Sequence, residues 1–398
     1  MTRTHFLRRH DPLRFLCVGC SPLGRWAIVG YGLLLSGLIA IHSGLAMAEP
    51  TAGSPYGVIE VGSKGVKAYA FDYERAQTPG CQEDGDRYLE CLNLQQVPPV
   101  NVSPIKETAL QDTVAAVATQ EQELMQRYAV APDRLFVVLS SGLSTIPHRD
   151  NLIASIAERI NPKNPIDLIS ADNEAQYALN GVLQMIPARY RSDRRRTAVL
   201  MDIGSGNTKG SYIEKTGKSE RFVSLSVPWG TTTVTKEIDE HRGDVSFTAA
   251  AETWRKNVLL PILHDEFERK PGAVNRQRVY LLGGLPWALV TLTQPQDKHK
   301  FPPINIEQID RLYRDATADD AEARLCQNSK TIEGSDIDRV CNAFSVNNLV
   351  AGLQILKALV QEMKLDKRNK LIFFFRDSQF AWPLGYLQNR IKGDEKSP

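Results

Sequence analysis

The sequence has little net charge, few cysteines and a low mean hydropathy. Its 398 residues carry a formal charge of only +2, which gives no reason to expect a nucleic-acid partner. A mean hydropathy of −0.28 excludes a polytopic membrane protein, although it allows one spanning segment. Six cysteines are too few for a disulfide scaffold, and no zinc motif or Ser-His-Asp arrangement is present. The composition is that of an ordinary globular protein, long enough for two domains.

The first fifty residues differ from the rest of the chain. Five arginines and one acid precede an apolar stretch over residues 27–46, and Ala46-Met47-Ala48 ends it. A basic region, an apolar core and small residues around a cleavage point are typical of an export signal. The stretch is also just long enough to span a bilayer, so an uncleaved anchor stays open. We expect residues 1–48 to be a signal peptide or membrane tether. The remaining chain would then be periplasmic, or anchored to the inner membrane facing the periplasm.

Four cysteines remain after that segment, in two local pairs. Cys81 and Cys91 lie in one polar segment, and Cys326 and Cys341 lie in another; we interpret both segments as loops. Two local disulfides are the natural arrangement in an oxidising compartment. Each would stabilise the fold by about 2–4 kcal/mol. A metal site would need closer ligands and nearby histidines, and neither is present.

The rest of the chain alternates strands with helices, which predicts an α/β fold. Two segments repeat one pattern of strand, acid, glycine-rich hairpin and second strand: VIEVGSKGVKAYAF and VLMDIGSGNTKGSY. Their acids, Glu60 and Asp202, are about 140 residues apart. The repeat predicts a duplicated, two-lobed architecture with a cleft between the lobes. We assign residues 49–188 to the first lobe and 197–398 to the second, and the last helix could return to the first.

A glycine-rich hairpin can direct backbone N–H groups at an anion, because glycine has no Cβ and reaches positive φ. Either hairpin alone could be a plain turn, but two copies that each follow an acid favour phosphate binding. Carboxylates such as Glu60 and Asp202 suit Mg²⁺ or a metal-bound water. The predicted phosphate-binding residues are Gly62, Ser63, Lys64, Gly65, Gly204, Ser205, Gly206, Asn207, Thr208, Lys209, Gly283 and Gly284.

Further segments follow in a fixed order: DLISADNEAQYALNGVL, the second hairpin, SLSVPWGTTTVTKEI and VYLLGGLPWAL. With the first hairpin, they resemble the exopolyphosphatase/guanosine pentaphosphate phosphatase (Ppx/GppA) family of the actin/sugar-kinase/Hsp70 superfold. The resemblance implies a two-lobed actin-like (ribonuclease H-like) duplicated fold with a phosphate-binding cleft between the lobes. It also implies metal-assisted attack of water on a phosphoanhydride, with Glu174 as the catalytic base and Glu60 and Asp202 as Mg²⁺ ligands.

The chain departs from the family pattern at several charged positions. Lys209 stands where the family has a glutamate, Gln176 replaces an arginine, and residues 141–144 lack their arginine. Two main hypotheses follow. The first is an exported hydrolase of polyphosphate or a related nucleoside polyphosphate, whose Mg²⁺ dependence Lys209 could alter. The second is a non-catalytic phosphate or polyphosphate sensor.

A structural scaffold is a third, weaker hypothesis, and a homodimer is left open. The arginines within residues 189–196 form the strongest basic cluster of the chain. We interpret them as a charged surface connector rather than a guide for a polyanion.

Overall fold

The computed structural model describes residues 53–83, 85–217, 219–326 and 336–394, which belong to one compact unit. The expected signal or tether over residues 1–48 lies outside the described residues. The described chain is α/β and is built around two mixed sheets.

The first sheet has the strand order β3-β2-β1-β4-β5. Its strands are β1 Tyr56–Gly62, β2 Gly65–Phe71, β3 Gln95–Val100, β4 Leu135–Leu139 and β5 Asp167–Leu168. The helices of this half are α1 Tyr73–Ala76, α2 Pro79–Gln82, α3 Gly85–Leu92, α4 Leu110–Arg127, α5 Arg149–Ile160, α6 Ala171–Gln184 and α7 Ala188–Thr197.

The second sheet has the strand order β10-β11-β9-β6-β7-β8. Its strands are β6 Ala198–Ile203, β7 Thr208–Thr216, β8 Ser219–Val227, β9 Arg278–Leu282, β10 Pro303–Ile304 and β11 Leu371–Phe374. The helices that follow α7 are α8 Thr231–His241, α9 Phe247–Trp254, α10 Leu260–Arg269, α11 Gly284–Thr293, α12 Ile306–Ala316, α13 Ala321–Cys326, α14 Asp336–Ala343, α15 Val346–Glu362 and α16 Ala381–Asp394.

The two sheets repeat one topology, which confirms the duplication expected from the hairpins. Each has an antiparallel meander of three strands, β1-β2-β3 in one sheet and β6-β7-β8 in the other. The first strand of each meander also pairs in parallel with a later strand, β4 or β9. A further parallel strand, β5 or β11, continues each sheet.

The central strands are apolar on both faces because helices cover each sheet on both sides. On β6, Met201 and Ile203 enter one apolar cluster, whereas Leu200 enters another. The second of these clusters contains residues from both sheets together with residues of α6 and α16. These two helices therefore pack where the two sheets approach one another, which fixes α6 beside the hairpin strands.

Helix α16 packs closely on α6, although about 200 residues separate them. A Cβ added to Gly181 of α6 would overlap the Ala381 carbonyl oxygen, and one added to Gly385 of α16 would overlap the Tyr177 carbonyl oxygen. Glycine therefore permits the close approach of the two helices. The last helix of the chain thereby contacts a helix of the first half.

The disulfides Cys81–Cys91 and Cys326–Cys341 are present, as expected. The interpretation of their segments as loops was wrong, because Cys81 and Cys91 lie on α2 and α3 and the second pair joins α13 to α14. The expected basic connector is likewise helical, as α7. Among the described residues, no single helix is long and apolar enough to cross a membrane. Helices α14 and α15 pass that test only together, and they are bent by 94°.

Candidate functional site

Each hairpin carries one acid directly opposite one lysine. Glu60 on β1 pairs with Lys67 on β2, and Asp202 on β6 pairs with Lys209 on β7. The Lys67 Nζ lies 3.7 Å from Glu60 Oε1, and the Lys209 Nζ lies 3.5 Å from Asp202 Oδ2. The fold duplication therefore repeats an acid–lysine pair as well as a turn. The sequence signal is an acid followed seven positions later by lysine, and our sequence analysis did not use it.

The two lysines have different surroundings. The Lys67 side chain is 38% exposed, whereas that of Lys209 is 8% exposed. Lys209 also reaches Glu174 of α6, whose Oε1 lies 2.7 Å from the Lys209 Nζ. Burial alone would lower the pKa of Lys209, but the charges of Glu174 and Asp202 outweigh it and raise that pKa well above its usual value. Lys209 is therefore a permanently charged ammonium inside the protein.

Glu174 lies in the first turn of α6, which Ser170 caps by accepting a hydrogen bond from the Asn173 N–H at 3.1 Å. Its Oε2 accepts a hydrogen bond from the Ser141 N–H at 3.0 Å. Burial would raise the pKa of Glu174, but Lys209 and the Ser141 hydrogen bond outweigh it, so the pKa lies below its usual value. Glu174 is thus a buried carboxylate with both oxygens occupied.

Ser141 follows β4 in a short 3₁₀ turn. Residues 141–144 belong to a segment expected from the family resemblance, but no role was predicted for Ser141. Its backbone N–H fixes Glu174, and any residue type other than proline supplies that donor. The residue type at position 141 therefore does not predict this contact.

The pKa values of Glu60 and Asp202 are both raised, chiefly because burial penalises the charged forms of these side chains. The charges of Lys67, Glu174, Lys209 and Asp202 all act on Glu60, which places the acids of both hairpins in one electrostatic cluster. Glu60 Oε2 is buried and has no hydrogen-bond partner among the described residues. The cluster therefore contains an acceptor atom that the surrounding chain leaves unsatisfied.

The second turn has open backbone donors. The carbonyls of Gly204 and Ser205 accept hydrogen bonds from the first residues of α8, so the turn caps that helix. Within the described chain, no partner is found for the N–H groups of Ser205, Gly206 and Asn207. A Cβ added to Gly206 would meet nothing within 4 Å. The turn thus has three consecutive N–H groups without a partner among the described residues, and its tip at Gly206 is exposed, as in an anion-binding loop.

Three other predicted phosphate-binding residues, Gly283, Gly284 and Thr208, pack against neighbouring protein groups. Gly283 has φ +98°, and a Cβ there would lie 2.7 Å from Asp202 Oδ1, so only glycine fits behind that carboxylate. Gly283 also begins α11, whereas the Cβ position of Gly284 faces the Phe344 ring. The hydroxyl of Thr208 is buried and donates to the Trp229 carbonyl oxygen at 2.8 Å. The Thr208 side chain therefore stabilises the hairpin and does not face open space.

The first hairpin contributes a pair of cations. Lys64 is exposed, at the tip of the turn between β1 and β2. Partial desolvation by nearby protein atoms, followed by the charge of Lys67, lowers the pKa of Lys64. The two ammonium groups therefore act on one another, and an anion between them would relieve that repulsion.

The three site acids Glu60, Glu174 and Asp202 do not together bring their oxygens within the mutual distances of a single metal site. Direct Mg²⁺ ligands lie about 2.1 Å from the ion, so two of them lie at most about 4.2 Å apart. Among the described residues, the trio of potential ligand atoms within 4.8 Å of one another is Glu237, Glu240 and His241 on α8, and not the acids of the site. Magnesium binding by Glu60 and Asp202 therefore stays a prediction.

Three of the five arginines of α7 have close local partners. Arg195 pairs with Glu220 at 2.6 Å, and Arg194 pairs with Asp193 at 2.6 Å. Arg191 donates to Gln82 Oε1 at 2.8 Å and to carbonyl oxygens at the end of α6. These contacts support the interpretation of the cluster as a structural surface element.

Comparison with known proteins extends these observations. No family model matches the sequence, and no curated protein matches it. Solved structures do match. A Ppx/GppA family member from Aquifex aeolicus is 13% identical with a TM-score of 0.55, and the match covers 86% of this chain and 99% of that one. An exopolyphosphatase from Cytophaga hutchinsonii is 14% identical with a TM-score of 0.55, over 85% of this chain and 98% of that one.

A type II variant of the Aquifex aeolicus Ppx/GppA phosphatase is also 14% identical, with a TM-score of 0.53 and 83% of this chain covered. Identities this low establish shared architecture only. The duplicated sheets and these matches over most of the chain together show that it has the actin-like fold found in Ppx/GppA phosphatases.

Proposed function

We propose that this protein binds a phosphoanhydride, such as inorganic polyphosphate, between its two hairpins and does not hydrolyse it. In this proposal residues 49–188 and 197–398 form two lobes, and the ligand lies in the cleft between them. The observation that carries the proposal is the buried ion pair between Lys209 and Glu174, with 2.7 Å between Nζ and Oε1.

The ion pair bears on catalysis because Glu174 is the residue predicted to activate water. A general base works best when its pKa lies near the working pH. The pKa of Glu174 is instead lowered, and its two oxygens are held by Lys209 and by the Ser141 N–H. A carboxylate in this state is a weak and poorly accessible base.

The groups suited to phosphate binding lie around this ion pair. Lys64 and Lys67 provide cations at the first hairpin, and the second turn provides the N–H groups of residues 205–207. A lysine is a point charge that binds phosphate oxygens without fixed geometry. Binding can therefore persist where the catalytic groups are neutralised.

Isothermal titration of the full-length chain with sodium tripolyphosphate, in EDTA, tests binding. We expect saturable binding that Lys67→Met weakens about tenfold, which corresponds to roughly 1.4 kcal/mol. Lys367→Met is the matched control, because that lysine is 63% exposed and pairs only with its neighbour Asp366. Equal affinities of the Lys67 and Lys367 variants would contradict the proposed site.

Hydrolysis with Mg²⁺ is the second candidate function. It is favoured by the unsatisfied Oε2 of Glu60, which is a free acceptor beside Asp202 and Glu174. Release of orthophosphate from tripolyphosphate that requires Mg²⁺ and disappears in Glu174→Gln would support this function. We expect no such release.

The proposed setting is outside the cytoplasm. Both disulfides join cysteines that are close in sequence, and structural disulfides persist in oxidising compartments. They support export directed by residues 1–48. Finding the processed chain, or the intact anchored chain, in a periplasmic or membrane fraction would test this localisation, and finding it in the cytosol would contradict it.

A further inference from the structure

We propose that the Lys209 ammonium serves as a built-in cation in place of a divalent metal ion, so that this site excludes Mg²⁺ until Lys209 is removed. This inference concerns the metal preference of the same site. Its test uses metal ions alone, so it can fail or succeed independently of phosphate binding.

The ammonium of Lys209 occupies the position expected for a bound cation. Lys209 Nζ lies between carboxylates from two elements that are distant in sequence, 2.7 Å from Glu174 Oε1 on α6 and 3.5 Å from Asp202 Oδ2 on β6. It is buried and forms ion pairs with both. A cation bound between an acid at a strand end and an acid on α6 would occupy this same location.

The balance of charge also bears on metal binding. Glu60, Glu174 and Asp202 together carry up to three negative charges, and Lys209 is the buried cation among them. A buried carboxylate cluster is stable only when a cation or protons compensate it. With Lys209 present, one of these negative charges is already compensated. A metal ion would have to share the oxygens of Glu174 and Asp202 with the ammonium, which lies about 3 Å from them, the length of an ordinary N–O contact.

Lys67 occupies the equivalent register position in the first hairpin. Lys67 is 38% exposed, and its Nζ lies 3.7 Å from Glu60 Oε1, a longer distance than that between Lys209 and Glu174. It sits at the edge of the acid cluster rather than within it. Removing its charge should therefore change Mn²⁺ binding less than removing that of Lys209, which makes Lys67→Met a comparison for the loss of a nearby lysine.

An ammonium also differs from a metal ion in what it can do next. It has three N–H donors, and its ion-pair partners are two carboxylates. The third can donate to an oxygen of a bound phosphate, but an ammonium cannot supply a metal-bound water. Lys209 is thus suited to hold a phosphate ligand and unsuited to deliver a nucleophile.

The test is a titration of the full-length chain with Mn²⁺, followed by electron paramagnetic resonance of the free ion. Glu237, Glu240 and His241 form an exposed cluster on α8 that could bind Mn²⁺ weakly. Every protein in the series therefore carries Glu237→Gln. The series compares this background with Lys209→Met and with Lys67→Met.

We expect the Lys209→Met protein to bind one equivalent of Mn²⁺ at least tenfold more tightly than the background protein and the Lys67→Met protein. MgCl₂ should also raise its melting temperature by several degrees, whereas NaCl of equal ionic strength should not. Lys209→Gln, whose amide can still donate to Glu174, replaces Lys209→Met if the latter does not fold.

Two results would overturn the inference. One is Mn²⁺ binding by the background protein that is as tight as that of the Lys209 variants. The other is a folded Lys209 variant that binds no more Mn²⁺ than the background. Absence of tripolyphosphate binding would refute the proposed function and leave this result unaffected.

Discussion

Replacing Lys209 with methionine should destabilise the fold far more than replacing Lys67, although the two lysines are equivalent by register. Methionine keeps much of the side-chain volume and removes the charge. In Lys209→Met, Glu174 and Asp202 lose the ammonium that lies 2.7 Å and 3.5 Å from their oxygens. Removing one partner of a buried ion pair costs about 3–5 kcal/mol, because the other charge stays buried without compensation.

The same change at Lys67 removes a pair in which the lysine is 38% exposed, with 3.7 Å between Nζ and Glu60 Oε1. Exposed ion pairs contribute about 0–1 kcal/mol. Urea unfolding at pH 7, followed by circular dichroism, should therefore give a midpoint loss in Lys209→Met several times larger than in Lys67→Met. Similar losses in the two variants, or a Lys209→Met loss below about 1 kcal/mol, would refute the burial argument.

The pH dependence of this difference follows from Glu174. Its folded-state pKa is lowered, so its contribution to stability is present above the unfolded pKa and is lost as the pH falls through the folded value. In Lys209→Met the lowering is removed, and acid protonates the uncompensated carboxylate. The stability difference between the parent protein and Lys209→Met should shrink as the pH falls from 7 towards 4. A difference that grows in acid would contradict this assignment.

Three further predictions concern neighbouring positions. Glu60→Gln should raise the unfolding free energy by about 1 kcal/mol at pH 8, because burial raises the pKa of Glu60 and its Oε2 has no partner among the described residues. This raised pKa destabilises the parent protein as pH rises above the unfolded value, so urea unfolding should show little difference at pH 4. Gly283→Ala should cost about 1–3 kcal/mol in the same assay, since φ is +98° and the new Cβ would approach Asp202. Gly181→Ala should lower the melting temperature through a cost of about 1–3 kcal/mol, because its methyl group would overlap the Ala381 carbonyl oxygen; an unchanged melting temperature would contradict the close packing of α6 and α16.

The duplicated fold was predictable because its signal is local. Each hairpin appears in the sequence as an apolar strand, an acid and a glycine-rich turn, and both hairpins form as expected. The two disulfides were predictable for a similar reason, because each joins cysteines close in sequence. Their surrounding helices were missed, because the glycine-rich and polar composition of these segments is also typical of loops.

The central contact of the site was not predictable from the sequence. Lys209 and Glu174 were each singled out, but their ion pair depends on how α6 packs against β7, which is a tertiary arrangement. The burial of Lys209 and the exposure of Lys67 also follow from that packing, since both lysines have the same place in their hairpins. His148, at the start of α5, is another buried contact that no local pattern indicates: its Nε2 lies 2.8 Å from the Pro104 carbonyl oxygen.

The central claim is that the site holds a phosphoanhydride and leaves it intact. Phosphorus-31 NMR of sodium tripolyphosphate with the full-length chain measures both parts at once, with and without Mg²⁺. We expect the tripolyphosphate resonances to broaden on binding, to sharpen again with the Lys67→Met protein, and to give no orthophosphate signal over days. An orthophosphate signal that grows with Mg²⁺ and is absent with Glu174→Gln would contradict it.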